Sequence, residues 1–122
     1  MKPRVLIVDD SGLSRRTLRQ ILEPAGYEVA EVDDGLAALE RYFLERPDVV
    51  LLDLVMKGMY GLEVLTKLRE LDGDAKVVVV SADIQTSSQQ LVEEAGAKAF
   101  VNKPFDKAEI LGALTTVLGG TV

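Results

Sequence analysis

Three short apolar runs constrain the fold of this 122-residue chain more than any other feature of its sequence. Each run is rich in β-branched residues, none alternates with polar residues, and they lie at residues 5–8, 49–52 and 77–80. Such runs are typical of strands that are buried on both faces of a parallel sheet. Residues 99–101 predict a further strand, and the alternating residues 28–32 predict an edge strand covered on one side.

Helical periodicity separates these runs, because apolar residues recur three and four positions apart. The predicted buried stripes are Leu18, Ile21, Leu22 and Ala25; Leu36, Leu39 and Phe43; Val64, Leu65, Leu68 and Leu71; Leu91, Val92 and Ala95; and Ile110, Leu111, Leu114, Val117 and Leu118. Gly26 and Gly96 each follow a predicted helix and are expected to end it in the left-handed backbone conformation, and Asp34 supplies an N-cap. The order βαβαβαβαβα predicts one α/β domain over residues 1–122 with a mostly parallel sheet.

The composition excludes several kinds of chemistry. The chain has no cysteine and no histidine, which excludes thiolate nucleophiles, disulfides, imidazole ligands and Ser-His-Asp triads. A metal site must then use oxygen ligands, which favours Mg²⁺, Ca²⁺ or Mn²⁺. The net charge of −6 argues against nucleic-acid binding. Neither a membrane span nor a signal peptide is indicated, so we expect a cytoplasmic protein.

A polar residue follows each apolar run. Asp9 and Asp10 follow the first, Asp53 the second and Ser81 the third, while Lys103 comes shortly after residues 99–101. Parallel strands place their carboxyl ends at one edge of a sheet, where open α/β sheets bind ligands. We therefore expect three carboxylates, a hydroxyl and an ammonium to converge there.

Three neighbouring carboxylates repel one another, so the cluster is costly unless a cation neutralises it. Mg²⁺ binds such sites through one or two carboxylates and water, often together with a phosphate. With a lysine beside it, the arrangement suits phosphoryl transfer to a carboxylate oxygen, which forms an aspartyl phosphate.

Each residue alone also has an ordinary structural explanation. Asp9-Asp10 fits a turn and helix cap equally well, and Asp53 fits the start of a loop. Ser81 alone suits a helix N-cap, and Lys103 alone a solvated lysine. The coincidence of all of them at one sheet edge favours the functional explanation.

The sequence resembles response-regulator receiver domains over essentially its whole length. The matching segments are Val-Leu-Ile-Val-Asp9-Asp10, Leu-Leu-Asp53-Leu-Val-Met56, Val-Val-Ser81-Ala82 and Asn-Lys103-Pro104-Phe105. The resemblance implies a doubly wound five-stranded parallel sheet in the order 2-1-3-4-5 with five helices. It also implies a stand-alone receiver of a two-component system, since no output domain follows in this sequence.

The resemblance assigns a metal site and a phosphoacceptor. Asp53 matches the residue that is phosphorylated. Asp10 and Asp53 match direct Mg²⁺ ligands, Asp9 matches a ligand acting through water, and the backbone carbonyl of Val55 matches the remaining protein ligand.

The resemblance also assigns a phosphoryl-binding group and a switch. Lys103 and the Ala82 amide match groups that contact the phosphoryl oxygens, and Lys103-Pro104 matches a cis peptide. Ser81 and Phe100 match the pair that moves on phosphorylation. The implied partners are a histidine kinase or phosphotransfer protein and a downstream protein that reads the fourth helix, last strand and last helix.

Two other functions compete with a phosphorylated switch. A Mg²⁺-dependent phosphohydrolase of the haloacid-dehalogenase type needs an acid/base Asp two residues after the nucleophile, where this chain has Val55. A scaffold that binds its partner without phosphorylation is opposed by the intact acidic and basic set. P-loop and dinucleotide-binding motifs are missing.

The sequence departs from the family pattern near the site. Lys57-Gly58 replaces the usual proline after Met56, which predicts a more mobile loop and adds a cation. Val55 and Asp83 occupy the two positions that tune phosphate lifetime in the family, and Phe100 lacks a tyrosine hydroxyl.

Overall fold

A computed structural model describes residues 2–56, 60–82 and 86–119 of the chain. The strands are β1 (Arg4–Val8), β2 (Glu28–Val32), β3 (Val49–Leu52), β4 (Val77–Ser81) and β5 (Ala99–Asn102). The helices are α1 (Gly12–Leu22), α2 (Gly35–Glu45), α3 (Gly61–Leu71), α4 (Thr86–Glu94) and α5 (Lys107–Val117). Within these described residues, none of the helices has the length and apolarity that a bilayer span requires.

The strands form one parallel sheet in the order β2-β1-β3-β4-β5. This confirms the predicted fold class and strand order. The order changes direction between β1 and β3, so the connections leave these two strands on opposite sides and open a crevice above their carboxyl ends.

Two apolar clusters cover the two faces of the sheet. On one face α1 and α5 pack against the sheet through Leu18, Leu22, Ile110 and Leu114. On the other face α2, α3 and α4 pack through residues that include Ala38, Leu65, Leu68 and Val92. β1, β3 and β4 are buried along nearly their whole length because both faces are covered, as their unbroken apolar runs predict.

The predicted helix ends are confirmed. Gly26 and Gly96 adopt positive φ angles of 98° and 102°, a conformation that costs residues with a side chain more than it costs glycine. The Asp34 side chain accepts a hydrogen bond from the Ala37 amide and so caps α2.

The predicted buried stripe of α2 is wrong at two of its three residues, while Leu39 packs against the core as predicted. Leu36 and Phe43 are 69% and 50% exposed, whereas Ala38 and Tyr42 lie in the core. Ala38 lets the helix approach the sheet closely, and Tyr42 tolerates burial because its hydroxyl donates to Asp72 at 2.7 Å. Leu71 and Leu91 are also exposed, and Ala25 lies beyond the end of α1.

β2 is an edge strand as predicted, but it is covered on both sides rather than one. Val29 packs against the cluster beneath α1 and α5, while Ala30 and Val32 pack against the opposite cluster. Glu31 shares the face of Val29 and forms ion pairs with Arg15 and Arg19 of α1 at 3.0 and 2.8 Å. The charged residues of β2 and α1 therefore cover this edge as well.

Two of the departures from the family pattern, Lys57-Gly58 and Asp83, lie outside the described residues. The consequences expected for them stay predictions.

Candidate functional site at the carboxyl edge of the sheet

Three residues of the site are held one position beyond the strands that carry them. The amide of Asp9 donates to the Val32 carbonyl, and the amide of Asp53 donates to the Val8 carbonyl. The amide of Lys103 donates to the carbonyl of Ser81, which ends β4. The parallel ladders thus continue past the apolar runs and place these side chains along one edge of the sheet.

Three carboxylates meet at this edge. Oxygen atoms of Asp9, Asp10 and Asp53 lie within 4.8 Å of one another. Asp9 and Asp53 are 2% and 7% exposed, whereas Asp10 is exposed. The convergence predicted from the strand ends is therefore present, with one carboxylate open to solvent and two largely withdrawn from it.

Lys103 lies between the two buried carboxylates. Its Nζ is 2.8 Å from Asp9 Oδ2 and 3.3 Å from Asp53 Oδ2. Burial alone would lower the pKa of Lys103, but the hydrogen bond to Asp9 and the charges of both carboxylates outweigh burial and raise it. The side chain is thus a fixed cation in the site, because its protonated form is the favoured one.

Asp53 is the carboxylate of the cluster whose pKa is raised. Burial raises the pKa of Asp53, and the negative charge of Asp9 adds to this effect, while Lys103 and the Val55 amide oppose it. That amide donates to Asp53 Oδ1 at 3.2 Å, and Lys103 is on the side of Oδ2. The ionised carboxylate is therefore held in a defined orientation in surroundings that disfavour its charge.

The two predicted switch residues lie on the same face of the sheet. Ser81 is fully buried at the end of β4, and Phe100 pairs with Val79 in the neighbouring strand β5. Val79 and Phe100 both contact the cluster beneath α2, α3 and α4, and alternation along β4 puts Ser81 on this side too. Ala82 follows Ser81 and is exposed, and Lys103–Pro104 is a cis peptide.

The donor set fits Mg²⁺. Carboxylate oxygens are hard ligands, and the mixture of buried and exposed carboxylates leaves room for the waters that Mg²⁺ retains. One lysine offsets only part of the negative charge of three carboxylates, so a divalent cation would relieve their repulsion. The backbone carbonyl of Val55 stays a predicted ligand.

Sequence reasoning missed three residues around the site. Ser14 Oγ lies 3.3 Å from Lys103 Nζ, and Arg15 Nη1 donates to the Asp9 carbonyl at 2.8 Å. Gly61 lets α3 begin against the backbone of Asp53 and Leu54, since a Cβ atom would lie 2.4 Å from the Asp53 carbonyl oxygen. A serine N-cap at Ser11 is a sequence signal that would have placed Ser14 in the first turn of α1, but it was not used, and nothing in the sequence marked Arg15 or Gly61.

Comparisons with known proteins agree with this geometry. A profile of the response regulator receiver domain matches residues 5–115. The chemotaxis protein CheY of Thermotoga maritima is 40% identical over 118 residues, which cover 96% of this chain and 98% of that protein. The sporulation initiation phosphotransferase F of Bacillus subtilis is 36% identical over 118 residues, covering 97% of this chain and 95% of that protein.

The fold of this chain is also similar to that of a solved structure. It is the complex of CheX and CheY with BeF₃ and Mg²⁺ from Borrelia burgdorferi, with a TM-score of 0.91 and 33% sequence identity. The match covers 94% of this chain and 88% of that chain.

Proposed function

This chain belongs to the response-regulator receiver-domain family, and on that premise we propose that it is a signalling switch phosphorylated on Asp53. The observation that carries the proposal is the position of Lys103, whose ammonium contacts the buried carboxylates of both Asp9 and Asp53. A carboxylate held beside a fixed cation, with further carboxylates at metal-binding distance, is equipped to accept a phosphoryl group.

In the proposed reaction, an oxygen of the Asp53 carboxylate attacks the phosphorus of a phosphodonor. A new P–O bond forms to Asp53 as the bond from phosphorus to the donor's leaving group breaks, and the leaving group departs with that electron pair. Lys103 stands where it can screen the phosphoryl oxygens, and the backbone amide of Ala82 is the second proposed contact.

We propose Mg²⁺ as the metal, held by Asp10 and Asp53 directly, by Asp9 through water, and by the Val55 carbonyl. When bound, Mg²⁺ neutralises charge on the phosphoryl oxygens. Asp9 keeps Lys103 oriented through their 2.8 Å contact, and the Ser11 amide in turn donates to Asp9 Oδ1 at 2.9 Å.

The proposed output is a change at the surface formed by α4, β5 and α5. Ser81 moves toward the phosphoryl group, and the side chain of Phe100, on the same face of the sheet, turns inward as Ser81 moves. The protein is proposed to exchange between an inactive and an active conformation. Phosphorylation shifts this equilibrium only as far as the phosphoryl group interacts more favourably with one conformation than with the other.

The proposed donor is a histidine kinase or phosphotransfer protein, and the proposed reader is a separate protein. A cytoplasmic location stays a prediction. One relative described above is named a chemotaxis protein and the other a sporulation initiation phosphotransferase, and we propose chemotaxis or a phosphorelay as the setting.

The test is intact-protein mass after incubation with acetyl phosphate, with and without Mg²⁺. We expect one Mg²⁺-dependent phosphoryl adduct on the wild-type protein and none on Asp53→Asn. Asp74→Asn, which changes an exposed carboxylate in another loop, is the matched control and should be modified like wild type.

Phosphoramidate provides a second donor whose P–N bond resembles that of phosphohistidine. If folded wild-type protein accepts a phosphoryl group from neither donor nor from a panel of phosphorylated histidine kinases, the scaffold function replaces the switch. Turnover of an external phosphoester would instead indicate the phosphohydrolase.

A further inference from the structure

The ammonium of Lys103 has three hydrogen atoms to donate, and three side-chain oxygens of the described residues lie within hydrogen-bond distance of it. Two are the carboxylate oxygens of Asp9 and Asp53, at 2.8 and 3.3 Å. The third is the hydroxyl oxygen of Ser14, at 3.3 Å. This hydroxyl has no part in the function proposed above.

The position of Ser14 follows from the start of α1. The Ser11 hydroxyl caps the helix by accepting from the Ser14 amide at 3.2 Å, and the Ser11 amide donates to Asp9 Oδ1. The first turn of α1 is therefore anchored on Asp9, the same residue that Lys103 contacts. Since the cap uses the Ser14 backbone, the Ser14 hydroxyl is left to face Lys103.

The three acceptors differ in charge. Asp9 and Asp53 attract the ammonium as anions, whereas Ser14 attracts it as a neutral dipole. Without the hydroxyl, the ammonium is expected to settle more closely on the two carboxylates. A tighter ion pair with Asp53 would withdraw charge from the attacking oxygen and move the cation away from the incoming phosphoryl group.

We infer that Ser14 is a positioning residue that holds the Lys103 ammonium between Asp9 and Asp53, ready for the phosphoryl group. The inference rests on the proposed phosphorylation of Asp53. Ser14 acts through Lys103 and needs no contact with the phosphodonor.

Three variants separate this role from simple helix stability. Ser14→Ala removes the hydroxyl and keeps the backbone cap to Ser11. Ser14→Thr restores a hydroxyl at the same position. Thr17→Ala is the matched control, because the Thr17 hydroxyl lies one turn further along α1 and donates to the Leu13 carbonyl instead.

The first measurement is the phosphorylation rate as a function of acetyl phosphate concentration, at saturating Mg²⁺. We expect Ser14→Ala to lower the maximal rate roughly fivefold, the effect of one hydrogen bond, with little change in the half-saturating concentration. Ser14→Thr and Thr17→Ala should stay within about twofold of wild type on the same hydrogen-bond scale. An unchanged rate in Ser14→Ala, or an equal loss in Ser14→Thr, would overturn the inference.

The second measurement needs neither metal nor phosphodonor. In metal-free protein the ¹H–¹⁵N signal of the Lys103 ammonium, identified by its loss in Lys103→Arg, should shift or exchange faster in Ser14→Ala and remain unchanged in Thr17→Ala. A signal unaffected by Ser14→Ala contradicts the contact. If wild type is never phosphorylated, the proposed function fails, while this spectrum still decides whether Ser14 positions Lys103.

Discussion

At the scale of single residues, the buried carboxylate of Asp53 carries a cost in stability that the proposed function would explain. Its side chain is withdrawn from water beside Asp9, and Lys103 offsets only part of the resulting penalty. In the absence of metal, Asp53→Asn should therefore raise the melting temperature at neutral pH by a few degrees, because a neutral amide is cheaper to bury. Thermal unfolding followed by circular dichroism in EDTA measures this shift.

The same substitution should reverse its effect when Mg²⁺ is added. Wild type gains stability by binding the ion in its folded state only, and Asp53→Asn loses a ligand and gains less. Asp74→Asn, whose carboxylate is exposed, should match wild type in both conditions. A variant that is less stable than wild type in EDTA would show that the Lys103 ion pair outweighs the burial cost.

The residues of this site differ in how far their sequence surroundings reveal them. Asp9 and Asp53 follow buried runs directly, so the geometry of parallel strands was enough to predict their meeting. Ser14 has no such signal, since its contact with Lys103 depends on how the first turn of α1 lies against a residue 89 positions away. Spacing along the chain reports on strand ends but not on packing between a helix and a distant loop.

At the scale of elements, the close approach of α3 to the end of β3 depends on one residue. A Cβ atom on Gly61 would lie 2.4 Å from the Asp53 carbonyl oxygen and 2.5 Å from the Leu54 Cα, and both of these are backbone atoms. Gly61→Ala should therefore displace α3 or the Asp53 backbone and cost about 1–3 kcal/mol. Urea unfolding gives the stability, and the phosphorylation rate should fall with it because the acceptor moves.

Gly112→Ala is the matched control for this prediction. Gly112 lies within α5, and a Cβ atom there would meet nothing within 4 Å. Alanine should stabilise the helix by about 0.5–1 kcal/mol and leave phosphorylation unchanged. If Gly61→Ala behaves like Gly112→Ala, the helix start is not what limits the position of Asp53.

A hydrogen bond joins α2 to the end of α3. The buried Tyr42 hydroxyl donates to Asp72, and burial together with this bond raises the pKa of Tyr42 to about 12. The neutral hydroxyl is thus favoured by folding, so its contribution is complete below pH 10 and is lost as the pH rises toward 12. Tyr42→Phe should lower the free energy of unfolding by about 1 kcal/mol at pH 7. Between pH 10 and 12, the free energy of unfolding of the variant should fall less steeply with pH than that of wild type.

Denaturant unfolding at pH 7, 10 and 12 tests the prediction, and absorbance at 295 nm should lose its highest-pH tyrosine step in Tyr42→Phe. Tyr27→Phe changes a tyrosine that packs against the cluster of α1 and α5 and serves as control. Equal alkaline losses in wild type and Tyr42→Phe would refute the coupling.

Hydrophobic spacing misplaced part of the buried face of α2. Periodicity favoured Leu36 and Phe43 because both are large and apolar, yet the helix presents Ala38 and Tyr42 to the sheet. Ala38 is small, and Tyr42 tolerates burial because its hydroxyl donates to Asp72. Hydrophobic spacing predicts that a helix exists more reliably than which of two adjacent faces it buries.

At the scale of the whole molecule, the strand order makes the site a property of the topology. Strands β1 and β3 are adjacent, so Asp9 and Asp53 meet directly, while Lys103 reaches the site from β5 past the end of β4. Ser81 is the last residue of β4, the strand that lies between β3 and β5. If Asp53 is phosphorylated as proposed, a displacement at the site would reach the surface formed by α4, β5 and α5 through β4 and β5.

This arrangement predicts that Ser81→Ala separates phosphorylation from its output. Asp53 and Lys103 remain in place, so the variant should still accept a phosphoryl group from acetyl phosphate. The hydroxyl that would move toward that group is gone, so backbone amide shifts along β5 and α5 on phosphorylation should shrink to a fraction of those in wild type. Amide ¹H–¹⁵N spectra with and without donor measure both effects on one sample.

Thr66→Ala is the matched control, since the Thr66 hydroxyl lies on α3 and bonds only to the Leu62 carbonyl among the contacts described. It should reproduce the wild-type response. Full shifts in phosphorylated Ser81→Ala would mean that the change reaches β5 without Ser81. Because β4 lies between Asp53 and β5 in the sheet, the signal would then have to pass through the backbone ladder of β4 or through Lys103 itself.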